Sequence, residues 1–562
     1  MSVYIGIKNK ITAEIAAAAE RARAQGLLAF EELPAFVLEK PREAHHGDLA
    51  ANLAMLLTKQ AKKSPRDVAA ALISEMNTEG TWIETMEIAG PGFINFRLNK
   101  RWLSQVIPEI LAFGGQYGAV NLGRGKKIQV EFVSANPTGL PHMGNARGAA
   151  LGDSLASLLT LAGYRVSREF YINDAGNQIE KLADSLEARY LQALGIAAEF
   201  PEDGYQGQDL IDKVQKIVDR VGDRYLNSEV TERRSALTKT VLEENIADMR
   251  RTLRDFGVEF DRWYSEQSLY DTGKVQMTLQ RLQEKGYIYE REGALWLQLT
   301  RLGDDKDEVV VRANGIPTYY AADIAYHADK FERGFTEVID IWGADHHGHV
   351  ARMKRSMQAL GYDPDRLKVI LMQLVLLLED DKVKKMSKRL GQYVTLQELL
   401  DEVGKDAARF FFVMRDPDST VEFDLNLAKQ ETSDNPVFYV QYAHARLCSI
   451  LREALDQGLE VASSPTAAQM DLLTTPEEQS LLQKLAELPE EVRAAAQLME
   501  PHRLAYYVLD VAALFHSFYH KHRVLVNGDE TLRAGRLSLI QATRCVLANV
   551  LTLLGVSAPE RM

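Results

Sequence analysis

The spacing of hydrophobic positions changes twice along the chain, and each change predicts a different kind of structure. Up to about residue 115, apolar positions at helical spacing precede the alternating segment IAGPGFINFRL, which predicts a compact α/β module closed by a strand. Asp48 stands directly before the apolar run LAANLAMLL and is predicted to cap a helix there. The glycine-rich segment 114–118 then interrupts the pattern and predicts a linker.

The middle of the chain has the pattern of a parallel sheet. A buried strand is predicted at 127–133, followed by a loop, a long apolar helix from about His142 to Ala162, and a second strand at 164–171. This order opens a doubly wound α/β fold. Residues from about 178 to 256 are mostly charged helix, which we interpret as an insertion. The second half of the sheet is predicted to resume near residue 308 with EVVVRA and to continue with FTEVIDIWGA and KVILMQLVLLL.

The last part of the chain is predicted to be helical to its end. Four segments with helical periodicity follow residue 430, beginning with PVFYVQYAHARLCSILREAL. We therefore predict three units: an α/β module at 1–115, a doubly wound domain at 116–430 and an all-α bundle at 431–562.

Composition and charge narrow the functional classes. The 562 residues include 66 Lys and Arg against 79 Asp and Glu, a formal charge of −13, which argues against a protein that coats nucleic acid but not against a local basic binding surface. Cys448 and Cys545 fit neither a metal motif nor a disulfide framework. The apolar run Val369–Leu378 is too short to span a bilayer, and the N-terminal segment lacks a signal-peptide core. We predict a cytoplasmic protein without membrane contact.

Four residues, His142, Met143, Gly144 and Asn145, stand where the first strand, its loop and the long helix meet. A helix N-terminus presents N–H groups and a positive dipole end to an anion, and His142 can donate hydrogen bonds to phosphate. Gly144 lacks a side chain, so a planar base can lie against the backbone. Taken alone, such a tetrapeptide is more often an ordinary helix start at the surface.

Lys385, Met386, Ser387 and Lys388 form a second, basic segment. Two lysines three residues apart on a loop can close around a polyphosphate and neutralise departing pyrophosphate. A solvated basic loop explains this segment equally well when it is taken alone. The two segments together are more informative, because one opens the first half of the predicted sheet and the other follows the second half.

Together the two segments resemble the HIGH and KMSKS motifs of class I aminoacyl-tRNA synthetases. The longer segments VEFVSANPTGLPHMGNARGAALGD and YINDAGNQI closely resemble bacterial arginyl-tRNA synthetases, and the resemblance extends over nearly the whole chain. It implies an α/β fold with a class I Rossmann-like catalytic domain, a helical insertion, an N-terminal α/β module that touches the tRNA elbow and a C-terminal all-α anticodon-binding bundle. One departure is Asn145, where the family usually has His.

The resemblance also implies which residues bind the substrates. Asn136 is expected to contact the backbone groups of arginine, Tyr319 and Asp323 its guanidinium, Gln373 the substrate, and Glu266, by a weaker alignment, the same pocket. Gln373 could instead be a core amide, and Tyr319 and Asp323 a surface pair. The residues expected at ATP are His142, Gly144, Asn145, Gly343, Asp345, His346, Lys385, Met386, Ser387 and Lys388, of which His142, Asn145, Lys385 and Lys388 would stabilise phosphate charge in catalysis.

The histidine-rich segment 342–349 has a second interpretation. Its three histidines and one Asp could hold a metal ion. The segment follows a strand of the sheet and resembles the GxDH segment that contacts the ribose and adenine of ATP in this class, so we favour ATP and no tightly bound metal. Mg²⁺ would then arrive with the ATP phosphates.

The implied partners are tRNA(Arg), L-arginine and ATP, and we expect a monomer. Phe438, Tyr439 and Tyr442 could stack on splayed tRNA bases, although core packing is the more common use of such side chains. In this family arginine activation commonly requires bound tRNA, and we expect the same here. The competing interpretations are another class I synthetase, a non-catalytic tRNA-binding paralogue, and a nucleotidyltransferase with a similar sheet.

Overall fold

The computed structural model describes residues 2–41, 43–380, 382–383, 394–462 and 464–562. Helices account for most of these residues. In chain order they are α1 (Val3–Ala24), α2 (Leu53–Ala61), α3 (Pro65–Ser74), α4 (Val106–Phe113), α5 (Met143–Leu161), α6 (Asn177–Ala193), α7 (Gln208–Val221), α8 (Val230–Asp255), α9 (Gln267–Asp271), α10 (Lys274–Glu284), α11 (Tyr319–Glu332), α12 (His347–Leu360), α13 (Leu396–Val413), α14 (Leu425–Ala428), α15 (Pro436–Asp456), α16 (Ala467–Met470), α17 (Pro476–Ala486), α18 (Leu488–Leu498), α19 (His502–Lys521) and α20 (Glu530–Leu553).

The strands fall into one parallel sheet and three smaller sheets. They are β1 (Leu38–Glu39), β2 (Leu49–Ala51), β3 (Ile83–Ala89), β4 (Phe93–Leu98), β5 (Lys127–Glu131), β6 (Arg165–Ile172), β7 (Arg262–Ser265), β8 (Ile288–Arg291), β9 (Ala294–Leu297), β10 (Glu308–Val311), β11 (Glu337–Gly343), β12 (Leu367–Met372), β13 (Val375–Glu379), β14 (Lys382–Val383) and β15 (Val421–Asp424). The smaller sheets have the orders β1-β2-β4-β3, β10-β9-β8 and β14-β13-β15.

The central sheet has the order β12-β11-β5-β6-β7, and all its neighbouring strands are parallel. The chain runs outward from β5 through β6 to β7 and then returns to lay β11 and β12 on the other side of β5. The strand order therefore reverses between β5 and β11, and ligands of open α/β sheets bind in the crevice at the carboxyl ends of such a strand pair. The predicted parallel sheet is confirmed.

Helix α5 occupies the position that its apolar pattern predicts. It begins directly after His142 and ends before Gly163, whose positive φ of 89° stops it. The helix lies close to the sheet because Gly152 has no side chain; a Cβ there would lie 2.1 Å from Cγ of Phe132. This close approach fixes the N-terminus of α5 at the end of β5.

The insertion between β6 and β7 consists of α6, α7 and α8. Met249, Leu253 and Phe256 are buried on one face of α8 and its C-cap, as their spacing predicts. Residues Leu242 and Ile246 on the same face are partly buried.

The segment EVVVRA does not continue the parallel sheet, and this prediction was wrong. Its strand β10 pairs antiparallel with β9, in a small sheet that stands between β7 and β11 in the sequence. Alternation of apolar residues predicts a strand, but it does not identify the partner strand.

The segment KVILMQLVLLL is two strands rather than one. Gln373 and Leu374 separate β12, at the edge of the parallel sheet, from β13, which pairs with β15. The backbone N–H of Gln373 donates to the backbone carbonyl of Pro417 at 2.9 Å, so the polypeptide leaves the parallel sheet at this residue.

Asp48 does not cap a helix. The residues after it form strand β2, which pairs with β4, and α2 begins only at Leu53. The Asp48 carboxylate instead accepts a hydrogen bond from the backbone N–H of Leu98 at 2.8 Å and pairs with Lys100 at 2.5 Å. Pairing between strands thus overrides the local helix signal.

The C-terminal part is helical, as predicted, from α15 to α20. The predicted linker at 114–118 packs against it, because Tyr117 is buried and its hydroxyl donates to the carbonyl of Leu485 at 3.0 Å. In the part of the chain that the structure describes, no helix has both the length and the apolar character needed to cross a membrane.

Candidate active site

The N-terminus of α5 lies where the strand order reverses, and it is capped by the side chains of His142 and Asn145. His142 is the N-cap, and its Nδ1 accepts a hydrogen bond from the N–H of Gly144 at 3.1 Å. Oδ1 of Asn145 accepts in return from the N–H of His142 at 3.0 Å. Because Nδ1 accepts, a neutral His142 carries its proton on Nε2, the nitrogen able to donate to a ligand.

The reciprocal bonds give Asn145 a role in the helix start. We expect Asn145→Ala to lower the thermal midpoint by about 1–2 °C, because losing an N-terminal cap costs about 1 kcal/mol and the catalytic domain is large. Asn145→Asp keeps the acceptor oxygen and should melt at the wild-type temperature. An unchanged midpoint for Asn145→Ala in differential scanning calorimetry would contradict the capping role.

The chain after the second predicted motif returns to this helix start. Thr395 forms an isolated antiparallel bridge with His142, and the N–H of Leu396 donates to the carbonyl of Pro141 at 2.8 Å. The residues Lys385, Met386, Ser387 and Lys388 themselves lie outside the described residues.

Arg147, one turn into α5, was missed from the sequence. Its side chain is 1% exposed and donates to the carbonyls of Gln373 at 2.7 Å and Asp416 at 2.9 Å. Burial lowers its pKa to about 10. An arginine on the apolar face of a helix was the available signal, since a buried guanidinium must find acceptors. Arg147 ties α5 to the break between β12 and β13.

Gln373 is not the buried amide that its apolar surroundings predicted. It is half-buried, because it lies at the break between two strands rather than inside one. The alternative interpretation of Gln373 as a core amide is therefore wrong. The position of Gln373 at the carboxyl end of β12 still places it at the edge where the other candidate residues lie.

Asp323 lies on α11 between two histidines. Its carboxylate accepts from Nε2 of His349 at 2.6 Å and lies 3.1 Å from Nδ1 of His327. Burial by itself would raise the pKa of Asp323, but the two histidines hold it well below its usual range. About a third of the side chain remains exposed, so an ionised carboxylate faces the crevice.

Asn136 and Tyr319, far apart in sequence, both contact the start of α6. The Nδ2 group of Asn136 donates to Oε1 of Gln178 at 2.6 Å, and the backbone N–H of Asn177 donates to the Tyr319 hydroxyl at 2.6 Å. Gly176 has a φ of 78°, and a Cβ there would lie 2.7 Å from the Tyr319 hydroxyl, so only glycine fits. The segment YINDAGNQI thus contacts two of the predicted substrate residues, Asn136 and Tyr319.

Glu266 lies at the carboxyl end of β7 and is only 3% exposed. Burial raises its pKa to about 7; a hydrogen bond with Tyr171 opposes this rise, and the charges of Asp174 and Asp323 add to it. A buried carboxyl close to a second carboxylate, with no cation among the causes of its shift, is suited to a cationic ligand. Glu266, expected by the weaker alignment, is thus close enough to Asp323 for the charge of that carboxylate to raise its pKa.

The segment after β11 is open to solvent. Gly343 ends the strand, while the side chains of Asp345 and His346 are 83% and 59% exposed. These residues lie at the carboxyl end of β11, next to β5 and the start of α5. Among the described residues no group of three or more His, Cys, Asp or Glu side chains is arranged to hold a metal ion.

The three aromatic residues of α15 line a cavity of about 350 Å³ together with His516. The rings of Phe438 and Tyr442 stack with centroids 6.2 Å apart, and the guanidinium of Arg446 lies 5.3 Å from the ring of Tyr442. Tyr442 is exposed, whereas Tyr439 also packs on the hydrophobic core. Glu431, Thr432 and Ser433 complete the lining of the cavity, and Arg446 lies against the Tyr442 ring.

Comparison with known families accounts for almost the whole chain. Three family models match: the arginyl tRNA synthetase N-terminal domain at residues 7–98, the catalytic domain of class I tRNA synthetases (R) at 106–446, and the DALR anticodon binding domain at 440–562. The chain belongs to the arginyl-tRNA synthetase family. The family resemblance and the class I fold predicted from the sequence are confirmed.

Members of the family are similar over the full length. An arginine–tRNA ligase of Desulfitobacterium hafniense is 64% identical over 562 residues, which is 100% of both chains, and one of Moorella thermoacetica is 58% identical over the same coverage. The solved arginyl-tRNA synthetase of Thermus thermophilus is 25% identical, with a TM-score of 0.75 over 97% of this chain and 99% of that chain.

Proposed function

We propose that the crevice at the carboxyl ends of β5 and β11 activates arginine with ATP and transfers it to tRNA(Arg). The arginine carboxylate attacks the α-phosphate of ATP, giving arginyl-adenylate and pyrophosphate. A terminal ribose hydroxyl of the tRNA then attacks the carbonyl and releases AMP. The observation that supports the proposal is a set of two carboxyl groups, Asp323 and Glu266, close enough for the charge of Asp323 to raise the pKa of Glu266, with Glu266 at the carboxyl end of a strand in the sheet that α5 follows.

The arginine side chain would enter between these two carboxyl groups. A guanidinium has five N–H donors in a planar fork. It can therefore donate to two carboxylates at once, which no other amino-acid side chain does as well. Tyr319 would contact the same group, Asn136 the α-amino and α-carboxylate end, and Gln373 the substrate from the end of β12.

ATP would lie against the start of α5. His142 and Asn145 would face the α-phosphate, Gly144 would leave room for the adenine, and the exposed residues Gly343, Asp345 and His346 would contact the ribose and base. The motif residues Lys385, Met386, Ser387 and Lys388 would close on the leaving pyrophosphate, a role that the bridge between Thr395 and His142 favours. Mg²⁺ would enter with ATP and keep most of its waters.

No protein nucleophile is needed for either step. Both substrates are held in line, and hydrogen-bond donors at the α5 start together with the motif lysines would meet the charge that develops on the phosphates. Among the proposed site residues His142, Asn145, Lys385 and Lys388 would carry this role.

The remaining units would bind tRNA. We divide the chain at 1–115, 116–430 and 431–562, with the first unit at the tRNA elbow and the last at the anticodon. Phe438 and Tyr442 would stack on unpaired bases and Tyr439 would support them, because aromatic faces accept any base and Arg446 adds a cation at the edge of the cavity. A monomer in the cytoplasm suffices for this scheme, since one chain holds all the proposed sites.

The proposed site is tested by charging total tRNA with each of the twenty amino acids and with citrulline. Citrulline has nearly the shape of arginine but no charge, so two carboxylates should reject it by at least 1,000-fold in kcat/KM. Arginine-dependent pyrophosphate exchange should also require tRNA(Arg). Charging with another amino acid, or full exchange without tRNA, would contradict the corresponding part of the proposal.

The raised pKa of Glu266 predicts how arginine use depends on pH. The guanidinium stays protonated, so it binds best when Glu266 is ionised. As pH falls below about 7 Glu266 takes up a proton, and kcat/KM for arginine should fall by up to tenfold per pH unit. Measured between pH 6 and 8, Glu266→Gln should have lower but pH-independent values. A wild-type slope that persists in Glu266→Gln would assign the titration to another group.

A further inference from the structure

Two carboxylates lie side by side beneath the crevice and share one buried lysine. Glu131 ends β5 and is the register partner of Asp340 on β11. Nζ of Lys330, from α11, lies 2.5 Å from Oε2 of Glu131 and 2.7 Å from Oδ1 of Asp340. Lys330 and Asp340 are 0% exposed. The lysine therefore joins the two strands at the point where the strand order reverses.

His327 continues this connection toward the arginine pocket. Its Nε2 lies 2.8 Å from Oδ2 of Asp340, and its Nδ1 lies 2.8 Å from the backbone carbonyl oxygen of Asp323 and 3.1 Å from Oδ1 of the same residue. Burial and the charge of Lys330 would lower the pKa of His327, but Asp323 and Asp340 raise it to about 10. His327 is therefore an imidazolium that donates to the Asp340 carboxylate and to the Asp323 backbone carbonyl, with the Asp323 carboxylate 3.1 Å from Nδ1.

The other end of the connection holds a loop in an unusual conformation. Oε1 of Glu131 accepts a hydrogen bond from Oγ of Ser134 at 2.7 Å. Val133 and Ser134 have φ values of 69° and 40°, which are unfavourable for residues with a Cβ and especially for a β-branched one. Such a backbone persists only when its surroundings hold it. Asn136 follows two residues later.

We propose that this buried chain of side chains, which runs from Ser134 through Glu131, Lys330, Asp340 and His327 to Asp323, sets the distance between the two ends of the arginine pocket. Lys330 and His327 are positioning residues: neither contacts the substrate, and each acts through a residue that does. The inference rests on the proposed function, because it takes Asn136 and Asp323 as the arginine contacts.

The energetics favour a positioning role over a purely stabilising one. Charges buried away from water are seldom more stabilising than apolar side chains of the same volume, so a charged chain in this place is weak evidence for stability. A network in which every member is bonded does, however, fix its members in one geometry. Arginine is read at both ends, and a shift of 1 Å between the ends would weaken its binding.

Two variants interrupt this series of buried side chains at different points, and the first of them leaves its net charge unchanged. Glu131→Gln combined with Lys330→Met removes one negative and one positive charge and breaks the connection between Glu131 and Asp340. His327→Gln keeps a hydrogen-bonding side chain but removes the positive charge that lies between the Asp340 and Asp323 carboxylates. We expect each to raise KM for arginine at least tenfold in aminoacylation at saturating tRNA, with kcat within threefold and KM for ATP within twofold.

A matched control comes from a buried ion pair in the C-terminal bundle. Nε of Arg536 lies 2.8 Å from Oε1 of Glu478, and Glu478 is 0% exposed. Glu478→Gln with Arg536→Met has the same charge change and a similar burial. It should lower the thermal midpoint by a comparable amount and leave KM for arginine at the wild-type value.

Asp323→Asn, measured in parallel, separates the inference from the function on which it rests. If Asp323→Asn leaves KM for arginine unchanged, the assignment of the pocket fails and the inference falls with it. If Asp323→Asn raises KM but either chain variant behaves like the bundle control, the pocket stands and the inference is overturned. Should the double variant fail to fold, His327→Gln decides the question by the same criterion.

Discussion

Asp323→Asn is expected to lower kcat/KM for arginine by about 100- to 4,000-fold, mainly through KM. The substitution keeps the shape of the side chain but removes the ionised carboxylate that two histidines hold at low pKa. A guanidinium enclosed without its counter-ion loses about 3–5 kcal/mol, and each 1.4 kcal/mol is tenfold in affinity. Aminoacylation at varied arginine and saturating ATP measures this loss.

Glu332→Gln is the matched control on the same helix. Glu332 is the last residue of α11. Its side chain is exposed and pairs with Arg281 at the surface. Surface pairs contribute about 0–1 kcal/mol, so its kcat/KM should stay within twofold of the wild type. Equal effects of Asp323→Asn and Glu332→Gln would show that α11 tolerates loss of charge at Asp323 and that arginine is read elsewhere.

His142→Ala is expected to lower kcat by about 100- to 1,000-fold while KM for arginine changes less than threefold. Removing one positioned donor from a developing anion costs about this much when the donor acts in the transition state. The alanine also removes the N-cap of α5, which costs about 1 kcal/mol of stability. Pyrophosphate exchange with tRNA present isolates the activation step.

His142→Asn separates the two effects of that substitution. Asparagine is among the best N-cap residues, so the thermal midpoint should return to the wild-type value. Its shorter side chain does not reach as far as the imidazole, and kcat should remain low. Recovery of both the midpoint and kcat in His142→Asn would mean that His142 only caps the helix.

The apolar spacing of α5 was enough to place the first motif. A run of small and apolar residues of this length predicts a buried helix. Pro141 before it favours a helix start, and Gly163 after it favours a helix end. The family resemblance then supplied Asp323, Tyr319, Asn136 and Glu266, which no periodicity distinguishes from surface residues. In the structure Asn136 and Tyr319 contact the start of α6, and Asp323 is close enough to Glu266 for its charge to raise the pKa of that carboxyl.

The errors share one cause, which is that pairing between distant segments decides the outcome. Asp48 has the local setting of an N-cap, yet β2 pairs with β4 instead. The segment EVVVRA alternates correctly but pairs with β9. In YYAADIAYHADKFERG, His327 and Lys330 are residue types that usually lie on an exposed helix face. They are buried here because they pair with Glu131 and Asp340, which lie on two different strands.

The central claim is that Asp323 and Glu266 together hold the arginine guanidinium at the carboxyl end of the parallel sheet. A crystal structure of the protein with arginine and a non-hydrolysable ATP analogue tests it most directly. We expect guanidinium nitrogens within about 3.2 Å of both carboxyl groups, with the α-carboxylate toward Asn136 and the start of α5. Arginine bound with its guanidinium away from both carboxyl groups would contradict this account.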